Sequence, residues 1–174
     1  MKKIEFSGKN CKDKIKKLND ISFIPERECM RDIDYKYFDN KSQINLINKI
    51  YLNNLNESEL LIKSVILKEI NKKILSYKNQ DINKNKFENK NINQDEVIEK
   101  LVSSKLKCFY CKSNCYLLYK KVRDSYQWTL DRIDNNLSHE NDNVIICCLK
   151  CNLERRCQNK DKFLFTKQLK IEKS

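Results

Sequence analysis

The sequence predicts an α+β protein: an N-terminal helical region followed by a small cysteine-framed domain. Three observations carry this expectation. Apolar residues recur at helical spacing between positions 42 and 105. Punctuation is scarce, with one Gly and one Pro in 174 residues, which disfavours a many-turned sheet protein. Two CxxC pairs, Cys108/Cys111 and Cys148/Cys151, then enclose 36 residues in which apolar runs alternate with polar loops.

Residues 1–41 form a basic N-terminal segment with Lys2, Lys3, Lys9, Lys12, Lys14, Lys16 and Lys17, turning aromatic and acidic near Asp32 and Asp39. No chemistry attaches to it, and Cys11 and Cys29 read as plain thiols because neither has a close partner. Residues 42–105 form the helical region. Ile44, Leu46, Ile47, Ile50 and Tyr51 fit a short amphipathic helix after Ser42. Asn56 with Glu59 three residues on is a capping box, and Leu60, Leu61, Val65, Ile66, Leu67, Ile70, Ile74 and Leu75 predict a core-packing helix over 57–77. The polar run KNQDINKNKFENKN predicts a linker over about 78–91. A third helix, over 95–105, is capped by Asn93 with Glu96 and buries Val97, Ile98, Leu101 and Val102. Residues 106–174 hold the cysteine frame and a basic tail.

The formal net charge is +12, unevenly spread. Residues 101–174 carry 15 basic and 8 acidic side chains, against 21 and 16 in residues 1–100. Positive charge is therefore densest around the cysteines, and a polyanion, most simply nucleic acid, is the expected partner. MKKIEFSGKN has no apolar signal core, and no run approaches the roughly 18 apolar residues of a membrane span. An intracellular, reducing compartment is expected, where paired CxxC motifs are metal ligands before they are disulfides.

Two-residue gaps let one tight turn present two sulfurs to one ion, so Cys108, Cys111, Cys148 and Cys151 predict a structural Zn²⁺ site. Cys115 and Cys147 adjoin the knuckles and are rival ligands, while Cys157 reads as a free thiol. Between the knuckles there is room for strands over 116–122, 126–131 and 143–147. A helix opening at the second knuckle would complete a treble clef. The bland alternative is that zinc only staples a binding module.

Asp131 ends an apolar run, and on an extended strand it shares a face with Thr129. A carboxylate there suits Mg²⁺ or Mn²⁺, which is usually held by one or two protein groups plus phosphate oxygens and water. Asn152 follows the last cysteine in the first helical turn and offers a second ligand. Arg155 and Arg156 lie three and four residues further, near its face, and would meet the same phosphate. Lys120, Lys121 and Arg123 add further nucleic-acid-binding candidates.

The residues Leu130-Asp131-Arg132-Ile133-Asp134, His139 four before Asn143, and Cys148-x-x-Cys151-Asn152 resemble the HNH (ββα-metal, His-Me finger) endonuclease domain. The Asp-Arg-Ile-Asp-Asn form and the tail RRCQNKDKFLFTKQL resemble HNH proteins of large DNA viruses. The resemblance covers about residues 108–156. It implies that Asp131 and Asn152 are catalytic metal ligands, that Asn143 pins the loop between two strands, and that the four cysteines are the zinc frame. The departure is Arg132, where the family usually has the water-activating His. Arginine cannot take that proton. The metal would then activate water alone, or His139 would act although it matches a loop position, or the domain would bind without cutting. Arg132 could still stabilise phosphoryl charge.

Three functions follow: a metal-dependent DNA endonuclease acting on double-stranded DNA, a noncatalytic zinc-binding DNA- or RNA-binding protein, and a zinc-stabilised protein-interaction module. Cleavage of plasmid with Mg²⁺ or Mn²⁺ separates the first from the second, and tight DNA binding without need of the helices excludes the third.

Overall fold

The computed structural model describes residues 24–86 and 91–169. The lysine cluster at positions 2–17 and Cys11 lie outside the described residues. The architecture is mixed α+β: N-terminal helices precede a β-hairpin that packs on the third helix beside the four-cysteine cluster. Among the described residues no helix is long and apolar enough to cross a membrane.

Helix α1 spans Asn40–Tyr51. Asp39 caps it by accepting from Ser42 N at 3.2 Å, so the helix begins before Ser42 and not after it. Helix α2, Glu57–Asn83, opens with the expected capping box: Asn56 accepts from Glu59 N, and Glu59 reaches back to Asn56 N. Its buried stripe is Ile62, Ile66 and Ile70, spaced four apart. The helix continues six residues beyond the expected end at Tyr77, into the run read as linker. That run holds no Gly or Pro to stop it, and Asp81 near its end is wholly buried by contacts with the hairpin. Tertiary contact overrides polar composition here. Helix α3, Gln94–Ser103, keeps its capping box from Asn93 and Glu96 and buries Val97, Ile98 and Leu101.

Strands β1 (Trp128–Arg132) and β2 (Val144–Cys148) pair antiparallel, with Trp128 opposite Cys148 and Arg132 opposite Val144. Helix α4, Leu149–Arg155, starts directly at Cys148, and α5, Lys160–Gln168, follows. No strand forms over 116–122. The buried Gln43 of α1 supplies the bonds a strand partner would have made. Its Oε1 accepts from Leu117 N at 2.7 Å and Leu118 N at 3.1 Å, and its Nε2 donates to Leu118 O at 3.0 Å. Only isolated bridges remain nearby, Tyr116 with Gln127 and Lys121 with Glu26.

Side chains also satisfy the outer edge of β1. Tyr77 Oη accepts from Leu130 N at 3.1 Å, Asn152 Nδ2 donates to Leu130 O at 3.1 Å, and Lys73 Nζ donates to Trp128 O. Arg155 Nη1 donates to Arg132 O at 2.6 Å. Helices α2 and α4 thus close the hairpin from one side. One buried cluster includes Ile66, Ile70, Leu101, Trp128, Leu130, Ile146 and Phe163.

Candidate functional site

The four predicted knuckle cysteines converge. The sulfurs of Cys108, Cys111, Cys148 and Cys151 all lie within 4.8 Å of one another, with Cys111 and Cys148 at 3.9 Å. A tetrahedral Zn²⁺ with Zn–S bonds of about 2.3 Å needs sulfurs about 3.8 Å apart, so the donor set fits that ion. Local backbone explains the convergence. Lys112 N donates to Cys108 O at 3.0 Å and Cys108 N to Ser113 O at 2.9 Å, turning the first knuckle through Lys112 at φ 61°. Cys151 N donates to Cys148 Sγ at 3.4 Å, so the second knuckle is the first turn of α4. Phe109 N donates to Ile146 O at 3.0 Å and docks the first knuckle on β2. Burial pushes the Cys151 thiol up to about 12, whereas hydrogen bonds from Cys115 and then Cys148 hold Cys108 well below the thiol range. Of the rivals, Cys115 abuts Cys108 outside the group of four. Cys147 turns to the other face of β2, with its sulfur 3.2 Å from Thr129 Oγ1. Cys29 and Cys157 are exposed free thiols.

Asp131 is buried, at 5% exposure, and each of its oxygens has a partner. Tyr110 Oη donates to Oδ2 at 2.6 Å, and Arg155 Nη1 donates to Oδ1 at 2.7 Å. Burial raises the Asp131 carboxyl, opposed by Tyr110 and Arg155. Phe163 of α5 meets the Tyr110 ring edge-on at 4.9 Å and so fixes it from behind. Arg155 was expected to face phosphate beside Arg156. It is instead 1% exposed, and its guanidinium bonds Asp131, Arg132 O and Ile133 O. The nearby carboxylate and two inward carbonyls are stronger partners for a buried guanidinium than any solvent-side ligand. Asn152 gives its Nδ2 to Thr129 Oγ1 and Leu130 O, both at 3.1 Å. No donor among the described residues takes its Oδ1.

Asn143 pins the loop between the strands. Its Oδ1 accepts from Asp134 N at 2.8 Å, and its Nδ2 donates to Asp134 O at 3.0 Å and Ser138 O at 2.8 Å. The loop thereby presents His139 to Asp81 on the last turns of α2. Asp81 accepts from His139 N at 2.8 Å and lies 2.8 and 2.9 Å from His139 Nδ1 through its two oxygens. Arg132 Nη1 donates to the same carboxylate at 3.3 Å and to Leu137 O at 3.1 Å. The imidazole stacks on Tyr77 at 4.6 Å. Burial lowers the His139 pKa, and the Asp81 carboxylate opposes that shift.

A cavity of about 520 Å³ lies between α2, β1 and α4. Asp131, Arg132, His139, Asn152 and Arg156 all reach it, joined by Lys73, Lys84 and Lys86 from the helical side. Arg132, Arg156, Lys84 and Lys86, with the partly neutralised Lys73, share that lining with one carboxylate, Asp131, so the cavity wall is predominantly basic. Burial drops Lys73 to about 7, and its ammonium sits 4.5 Å from the Trp128 ring centroid and 3.1 Å from Gln127 Oε1. Lys120, Lys121 and Arg123 stand apart from the cavity. Lys120 lies over the Tyr35 and Phe38 rings instead.

Sequence reasoning missed Asp81, Tyr77, Tyr110 and the cavity lysines. Asp81, Lys84 and Lys86 sit in the polar run, where nothing local distinguishes them. Tyr110 carried one signal: an aromatic hydroxyl inside a metal knuckle is buried and needs a partner. No family model matches the chain, and comparisons with curated proteins and with solved structures return no significant similarity.

Proposed function

We propose that the protein is a metal-dependent endonuclease of the HNH type, hydrolysing phosphodiester bonds in double-stranded DNA inside an infected or host cell. One observation carries this reading: Asp131, Asn152 and His139 line the same cation-rich cavity, at the strand-to-helix junction held by the four-cysteine frame. Zinc would be structural, closing the two knuckles so that β1 and α4 keep their relative placement.

The residues expected to hold a catalytic Mg²⁺ or Mn²⁺ ion suit one. Asp131 has about four lone-pair positions and two are taken, by Tyr110 and Arg155, which orient it as outer partners orient ligating carboxylates. Asn152 has its amide nitrogen anchored on β1, leaving the oxygen for the cavity. An ion held by this pair would supply charge neutralisation for the scissile phosphate and the leaving 3′ oxygen. Lys84, Lys86 and Arg156 at the cavity draw in the polyanion and register its backbone.

A noncatalytic nucleic-acid-binding protein built on the same domain is the second reading, favoured by Arg132. Its guanidinium stands where the family's water-activating His is expected, and it is tied to Asp81 and Leu137 O. Incubation of supercoiled plasmid with Mg²⁺ or Mn²⁺ separates the two. Nicking that disappears in Asn152→Ala and Asp131→Asn supports the enzyme. Salt-sensitive binding with no nicking under either metal overturns it in favour of the second reading.

A further inference from the structure

We infer that His139, oriented by Asp81, is the general base that activates the attacking water, taking the task Arg132 cannot perform. The inference rests on the nuclease reading and names the group that completes its site. A carboxylate only accepts hydrogen bonds, so the short Asp81 contacts make Nδ1 the protonated ring nitrogen. The neutral tautomer then carries its lone pair on Nε2. Nδ1 is taken by Asp81 on α2, and His139 is among the residues lining the cavity that Asp131 and Asn152 also line.

The ring is held from several sides. Asp81 grips both its backbone and its side chain, Tyr77 stacks against it, and Ile92 N donates to His139 O at 2.8 Å. This exceeds what loop closure needs, since Asn143 already pins the loop. Arg132 is a positioning residue in this scheme: it bonds the Asp81 carboxylate that orients the imidazole. The charged and titratable groups facing His139 are Asp81, Lys84 and Tyr77 from α2 and Arg132 from β1.

In the step, a lone pair on the water oxygen forms the new P–O bond while the water proton moves to His139 Nε2. The P–O3′ bond breaks with its electron pair on O3′, which takes a proton from solvent. The products are a 5′-phosphate and a 3′-hydroxyl, and His139 returns its proton to bulk water.

His139 is the chain's only histidine, which makes the test direct. Plasmid nicking by the zinc-loaded full chain is followed with saturating Mn²⁺ across about pH 5 to 8.5. The rate is expected to rise with pH to a plateau whose apparent pKa matches the histidine C2–H titration seen by NMR. Diethyl pyrocarbonate should abolish nicking, and hydroxylamine should restore it. His139→Gln should lose about 10²–10⁴-fold in rate while DNA affinity stays within about twofold. Asp81→Asn should slow nicking and shift the pH profile, and imidazole should partly rescue His139→Gly. Nicking by His139→Gln within about threefold of wild type, with an unchanged pH profile, overturns this inference and leaves the nuclease reading standing. Absence of nicking by the wild-type chain overturns both.

Discussion

Replacing Arg155 by Met removes the positive half of a pair buried beneath the cavity. Arg155 makes three bonds, to Asp131 Oδ1 at 2.7 Å, Arg132 O at 2.6 Å and Ile133 O at 3.1 Å, and is almost wholly inaccessible. Its loss leaves Asp131 with Tyr110 alone and frees two carbonyls, one at the partly accessible edge where water reaches. Breaking one side of a buried pair costs about 3–5 kcal/mol. Methionine keeps the volume of the aliphatic stem, so the loss should fall in that range and not above it. Asp131→Asn removes the orphaned charge, and the double variant should be less destabilised than the sum of the singles by about 2 kcal/mol. Urea unfolding in excess zinc, followed by fluorescence of the single buried Trp128, measures all three. The coupling should persist in high salt, because mobile ions screen buried pairs weakly. A loss below about 1 kcal/mol for Arg155→Met, or strictly additive losses, would refute the assignment of Arg155 as the lock on Asp131.

Metal analysis should find one zinc per chain. Cys108→Ser or Cys151→Ser should lose it and release the hairpin's protection from proteolysis, while Cys147→Ser and Cys157→Ser should retain it. Gln43→Ala strands two buried backbone donors and one acceptor, and should cost about 3 kcal/mol in urea unfolding, with faster amide exchange at Leu117 and Leu118. Acidification should weaken the fold through His139. Its folded pKa lies below the ordinary 6.5, so the unfolded chain binds the proton first; this contribution is intact above about 6.5 and is lost as pH falls toward the folded value. His139→Gln should flatten that segment of a stability-against-pH curve.

The parts of this protein legible in its sequence are those set by local spacing. Asn56 with Glu59 and Asn93 with Glu96 place two helix starts because a capping box closes within four residues. The CxxC pairs place the four-cysteine cluster because a two-residue gap lets one turn present two sulfurs together. The features that stayed hidden depend on partners far along the chain. A strand over 116–122 is reasonable from composition, but Gln43, more than seventy residues away, takes its hydrogen bonds. Arg155 lies on the expected helix, yet helical spacing does not say that a carboxylate on β1 is within reach. Asp81 was least legible. Its run is predominantly polar, and only burial against His139 and Arg132 sets it apart.

The side-chain sealing of the β1 edge has a consequence for where this protein can be cut. A fragment beginning after residue 105 would keep both knuckles and both strands, and on paper would be a complete small zinc module. It would lack Tyr77 and Lys73, which occupy Leu130 N and Trp128 O, and Gln43, which occupies the backbone at Leu117 and Leu118. Bare strand edges recruit other strands, so such a fragment should self-associate even with its zinc in place. Transplanting this module into another protein would require carrying α1 and α2 along, because half of its hydrogen-bonding rim is written fifty or more residues upstream.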